Sequence, residues 1–69
     1  MKFDVYGRFR LEVVRDGDRW LVFRLEPGRR IAARDLVIPS EVAEEEIATY
    51  LDDLFHEAAV PGKAVRVVT

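Results

Sequence analysis

No cysteine occurs in the chain, so no disulfide can staple it, and thiolate zinc sites are excluded as well. Histidine occurs once, at His56, which removes the histidine-rich zinc sets. No apolar run approaches the roughly 20 residues of a membrane span. The opening stretch, MKFDVYGRFR, carries a charge at every second or third position, unlike a signal peptide. These absences lead us to expect a soluble, cytoplasmic protein with no membrane role. Ser40 is the only serine, and no phosphate loop, dinucleotide fingerprint, nucleophile elbow or metal-spaced cluster occurs. The expectation is a protein that is not an enzyme, with no catalytic residue, cofactor or metal.

What is present is the composition of a globular protein: 49% hydrophobic and 35% charged residues. At 69 residues, the reading is one domain over 1–69. A chain this short buries only about 60% of its unfolded surface. With disulfides and zinc excluded, it needs a well-packed core, a dimer, or both. The net charge of −2 conceals an asymmetry. Residues 1–35 hold nine Lys/Arg and six Asp/Glu, a balance of +3; residues 36–69 hold two and seven, a balance of −5.

From Phe3 to Val13, apolar Phe3, Val5, Phe9, Leu11 and Val13 alternate with Lys2, Asp4, Arg8, Arg10 and Glu12. That period of two predicts one long half-buried strand, with Gly7 marking a bulge or a close approach on its apolar face. RWLVFRLE follows RDGD and predicts a second strand, with Asp-Gly signalling a hairpin. Placing Leu21, Phe23 and Leu25 on the apolar side of strand one requires a three-residue loop, Arg15-Asp16-Gly17. That loop pairs Leu11 with Leu21 and Phe9 with Phe23. A third strand is expected within Arg29 to Arg34, then extended chain to Ile38. Ser40 is the expected N-cap of a helix whose apolar arc holds Ala43, Ile47, Tyr50, Leu51, Leu54, Phe55 and Ala58. VPGK ends it and AVRVV supplies a last strand. The predicted fold class is α+β: a mainly antiparallel sheet with one helix packed on one face, in the order β-β-β-α-β.

Two surfaces merit a functional reading. At about 100° per residue, Asp52 and His56 fall opposite the apolar arc, flanked by Asp53, Glu46 and Glu57. They are neighbours at four-residue spacing, but two ligands on a convex helix do not enclose a metal, and acid–base chemistry needs a pocket. We read them as a solvated face. The predicted outer face of the first two strands carries Tyr6, Arg8, Arg10, Trp20, Val22 and Arg24. In the expected register Glu12 opposes Trp20, Arg10 opposes Val22 and Arg8 opposes Arg24. Trp, Tyr and Arg are enriched at protein interfaces, and the exposed Trp20–Val22 pair favours that reading. The expectation is therefore a small non-catalytic binding module, self-associating as a homodimer or meeting another protein. The alternative is a nucleic-acid-binding domain that stacks bases on the same face, which the net charge of −2 disfavours. Gly28-Arg29-Arg30 and Glu44-Glu45-Glu46 are read as soluble turn and helix-start electrostatics.

FDVYGRF near the start, DLVIP before the helix and YLDDLFHE within it carry a resemblance. On these, across most of its length, the chain resembles a family of short uncharacterised bacterial proteins. The resemblance implies a stand-alone bacterial protein and no particular activity. More distantly, the β-β-β-α-β order resembles HicB-type antitoxin domains, which also begin with strands around an Asp-Gly turn followed by an aromatic. After DGDRW this chain lacks the proline-glycine-cysteine run of those domains, and its 69 residues leave no room for an appended DNA-binding segment. An antitoxin role rests on fold analogy, and fold does not fix function.

Overall fold

The alternation from Phe3 to Val13 belongs to two strands, not one. In the computed structural model, which describes residues 1–68, β1 (Lys2–Val5) turns back at Tyr6-Gly7-Arg8 into β2 (Phe9–Asp16). Tyr6 and Gly7 both have positive φ (55° and 70°), and the Arg8 N–H donates to the Val5 carbonyl at 2.9 Å. Asp4 Oδ2 accepts the Gly7 N–H at 2.9 Å and steadies the turn from its own strand. Val5 pairs with Phe9, so the loop has an odd number of residues and returns the apolar positions to the same face. Period-two alternation therefore runs through the turn unbroken, which is why the sequence pattern does not reveal it.

β3 (Arg19–Glu26) and β4 (Arg29–Ala32) continue the meander, and β5 (Val65–Val67) follows the helix. The order is β-β-β-β-α-β, one strand more than the β-β-β-α-β expected, which was also the basis of the HicB likeness. The α+β class and the antiparallel sheet stand. The strands lie side by side as β4-β3-β2-β1-β5, every neighbouring pair antiparallel.

The second hairpin differs from its expected register. Asp16 pairs with Arg19, so the loop is Gly17-Asp18, with Gly17 at φ 62°. A glycine with positive φ at the first central position fits a type II′ turn, whose twist matches that of the flanking strands. Val13 now pairs with Val22, Leu11 with Arg24 and Arg15 with Trp20. The three-residue loop Arg15-Asp16-Gly17 is thus corrected, and every side chain of β3 changes face. Trp20, Val22 and Arg24 face the helix; Leu21, Phe23 and Leu25 face away. β3 is apolar on both faces, so parity alone could not orient it.

The helix is also shorter and later than expected. Pro39 to Val42 forms a turn, with the Val42 N–H donating to the Pro39 carbonyl at 3.1 Å. Ser40 is not the cap; its carbonyl instead accepts from Arg15 Nη1 at 3.1 Å. Ala43 precedes a 3₁₀ turn at Glu44–Glu46, and Glu46 Oε1 reaches back to the Ala43 N–H at 3.1 Å. α1 then spans Ile47–Leu54, and a second 3₁₀ turn covers His56–Ala58. α1 packs on β1 and β5. The core consists of Phe3, Val5, Tyr6, Leu11, Val13, Val22, Ala33, Ile38, Ile47 and Leu51. Leu54, placed in the apolar arc from the sequence, is the last residue of α1 and is 45% exposed. Among the described residues no helix is long and apolar enough to cross a membrane.

Candidate interaction surface

One face of the sheet carries the helix, and among the described residues no element packs on the other. Register places its residues in rows. One row crosses all five strands: Arg30, Leu25, Arg10, Asp4 and Arg66 on β4, β3, β2, β1 and β5. The neighbouring row holds Ala32, Phe23, Glu12 and Lys2, and Leu21 sits beside Val14 in the next. Val14, Leu21, Phe23 and Leu25 are all half-buried, forming an apolar stripe along β2 and β3.

Charges on this face pair with one another. Arg30 Nη1 donates to Glu12 Oε1 at 2.8 Å, while its guanidinium carbon lies 4.3 Å from the Phe23 ring centroid. The hydrogen bond from Arg30 holds the Glu12 carboxyl below the usual carboxylate range. Burial opposes that shift, and the charges of Arg30, Lys2 and the amino terminus reinforce it. Arg10 Nε lies 3.8 Å from Asp4 Oδ1, a looser pair.

The six residues assigned to this face from the sequence do not share it. Of the six, Arg10 alone is a strand residue of the helix-free face. Tyr6 and Val22 are buried in the core at 3% and 5% exposure. The Tyr6 hydroxyl donates to the Asp52 side chain and lies 3.1 Å from the Asp52 carbonyl oxygen, tying the first turn to α1. That hydrogen bond, with burial and the charges of Asp52 and Asp53, pushes the Tyr6 phenol up to about 12. Trp20 packs against the core and donates Nε1–H to the Val42 carbonyl at 3.0 Å, while Arg15 lies 4.5 Å over its ring. Arg24 sits 5.4 Å over the Phe9 ring, and Phe9 meets Phe55 edge-on at 5.1 Å. Arg8 is exposed in the first turn.

The residues that sequence reasoning missed are Val14, Leu21, Phe23, Leu25 and Arg30. The signal that locates them is Gly17-Asp18, itself a two-residue hairpin dipeptide. A buried tryptophan's need for an N–H acceptor also points inward.

Asp52 and His56 do not form a pair. The α-helix ends at Leu54, so His56 leaves the helical stripe, and Asp52 serves Tyr6 instead. Among the described residues, no group of three or more His, Cys, Asp or Glu side chains is placed to hold a metal. A concavity of about 280 Å³ on the helix side is lined by Glu45, Glu46, Thr49 and Asp53, and includes neither Asp52 nor His56. The larger cleft, about 610 Å³, lies at the β3 edge between Arg19–Phe23 and the segment from Ala32 to Ile38.

A five-stranded antiparallel sheet with one short helix on one face defines a small α+β domain. Residues 1–69 match the model of a family described as a domain of unknown function (DUF7661), and the chain belongs to that family. No curated protein and no solved structure matches it.

Proposed function

We propose that the protein is a small non-catalytic interaction module, and that its helix-free sheet face meets a second copy of the chain. The observation that carries this reading is the half-buried stripe Val14, Leu21, Phe23 and Leu25 on a face with no element across it. Apolar side chains flanked by the Arg30–Glu12 and Arg10–Asp4 pairs have the layout of an interface core with a polar rim. The two longer extents of the molecule, 35 and 29 Å, leave room for the roughly 800 Å² per partner of a standard interface. A bacterial, cytoplasmic setting belongs to the same reading, supported by the lack of cysteine and by the sequence resemblance.

Leu25→Glu is the discriminating variant. Leu25 lies between Arg10 and Arg30, so an acid there meets cations, and circular dichroism of the variant is expected to match the wild type. Light scattering is expected to give a dimer for the wild type and a monomer for the variant. A wild type that stays monomeric throughout the micromolar range overturns the proposal.

A second reading, nucleic-acid binding, is favoured by Arg30, Arg10 and Arg66 standing in one row. Against it, Glu12 and Asp4 already neutralise two of these cations, so a phosphate must displace a carboxylate. That reading requires a mobility shift with RNA or DNA that fades steeply as salt rises. Absence of a shift at low salt removes it.

A further inference from the structure

β4 covers only part of β3, from Phe23 to Glu26. In an antiparallel ladder, alternate residues send both main-chain groups to the same side. The Ala33 N–H donates to the Val22 carbonyl at 2.9 Å, so the even-numbered residues of β3 face the β4 side, and Trp20 is one of them. Among the described residues no strand lies across from Trp20. The Ala33 carbonyl accepts the Leu36 N–H at 3.0 Å, and the chain turns away from the sheet at that point. The Trp20 N–H and C=O therefore point into the 610 Å³ cleft. That volume lies within the roughly 300–1,000 Å³ of ordinary ligand sites.

We propose that this cleft binds an extended, acid-flanked peptide segment of a partner protein, which adds a strand beside β3. An unpaired strand edge offers main-chain hydrogen bonds to any extended segment. The cleft walls supply selectivity. Leu21 and Phe23 line it from β3, Leu36 and Ile38 line it from the segment after β4, and Val37, also in the lining, is 72% exposed. Of its lining residues two are arginines, Arg19 and Arg34, and none is acidic. Arg19 has only a loose pair with Asp16 at 3.7 Å, and Arg34 has no carboxylate within 4.0 Å among the described residues. The charge complement is thus a carboxylate near each end of the added strand. A second copy's β3 edge would bring two more arginines into the same cleft, so self-pairing there meets like-charge repulsion.

The probe is a blocked pentapeptide with glutamate at both ends and Val-Thr-Val between them. It is added to the wild type and to Leu25→Glu, so that self-association on the sheet face is separated from the cleft. Trp20 is the sole tryptophan and lines the site, so its fluorescence is expected to change saturably, with slower exchange of its amide proton. N-methylation of the central threonine, which removes one ladder donor, is expected to weaken binding about ten-fold, as is replacing both glutamates by lysine. Arg34→Glu is expected to reverse the preference toward the lysine-flanked peptide. Equal binding of the N-methylated peptide overturns the proposal, as does no response to any of these peptides. A Trp20 signal that follows protein concentration without peptide also overturns it, because a second copy then fills the cleft.

Discussion

Tyr6 shows how one side chain can hold an unfavourable backbone. A tyrosine at φ 55° is in a region that costs an L-residue of the order of 1–2 kcal/mol. Its ring is buried and its hydroxyl is tied to Asp52, so the turn is anchored to α1. The phenol is pushed up from 10.0 to about 12, so its contribution to stability is complete below pH 10 and is lost as pH rises toward about 12. Urea midpoints are expected to fall across that window in the wild type and to fall less in Tyr6→Phe. Glu12 acts at the other end of the scale. Its carboxyl is lowered from 4.5 by Arg30, so its contribution is present above that value and lost as pH drops through the lowered one. Glu12→Gln is expected to show a smaller loss of midpoint on acidification below pH 4.5 than the wild type. Equal acid sensitivity of the two proteins would contradict this role.

At the scale of elements, β3 and α1 carry the largest differences from expectation. Read from its pattern, β3 presents Trp20 to solvent; in the fold, Trp20 latches the Pro39–Val42 turn through Nε1. Trp20→Ala is therefore expected to destabilise the fold by roughly 3 kcal/mol, measured by chemical denaturation, rather than to act only on partner binding. α1 divides two leucines that helical spacing places together. Leu51 is fully buried and Leu54 is 45% exposed. Leu51→Ala is expected to cost about 2–5 kcal/mol and Leu54→Ala under about 0.5 kcal/mol. Similar costs for both would mean that the helix continues past Leu54. Strand existence, the Pro/Gly breaks and the inward face of β1 and β2 are legible in the sequence, because each is set by local propensity and a single apolar stripe. The first turn is hidden by its odd length, and the face of β3 by apolar residues on both sides.

For the molecule as a whole, the charge asymmetry of the chain becomes a spatial one. Most arginines of residues 1–35 lie on the strands, with Arg8 and Arg34 in turns, while the acids of residues 36–69 lie on α1 and the segments flanking it. A domain of this size has little stability to spare. The self-association proposed for the sheet face would couple its melting to concentration, since binding that favours the folded state raises apparent stability. The melting temperature of the wild type is expected to rise with protein concentration, and that of Leu25→Glu to stay constant. A wild-type melting temperature independent of concentration argues against the dimer.

By itself the sequence determined the α+β class, the antiparallel sheet, the single helix and the inward positions of Phe3, Val5, Leu11 and Val13. Each follows from periodicity or from residues that fix local backbone angles. Only the tertiary structure decided which side of β3 is buried. Leu21, Phe23 and Leu25 compete for the core with Trp20, Val22 and Arg24, so the strand's own pattern favours the face that the fold leaves uncovered. The Gly17-Asp18 turn and the hydrogen bond from Trp20 to Val42, a residue 22 positions away in sequence, override that preference. The turn is local, but the Trp20–Val42 contact is not, and together they decide which side chains the sheet leaves uncovered.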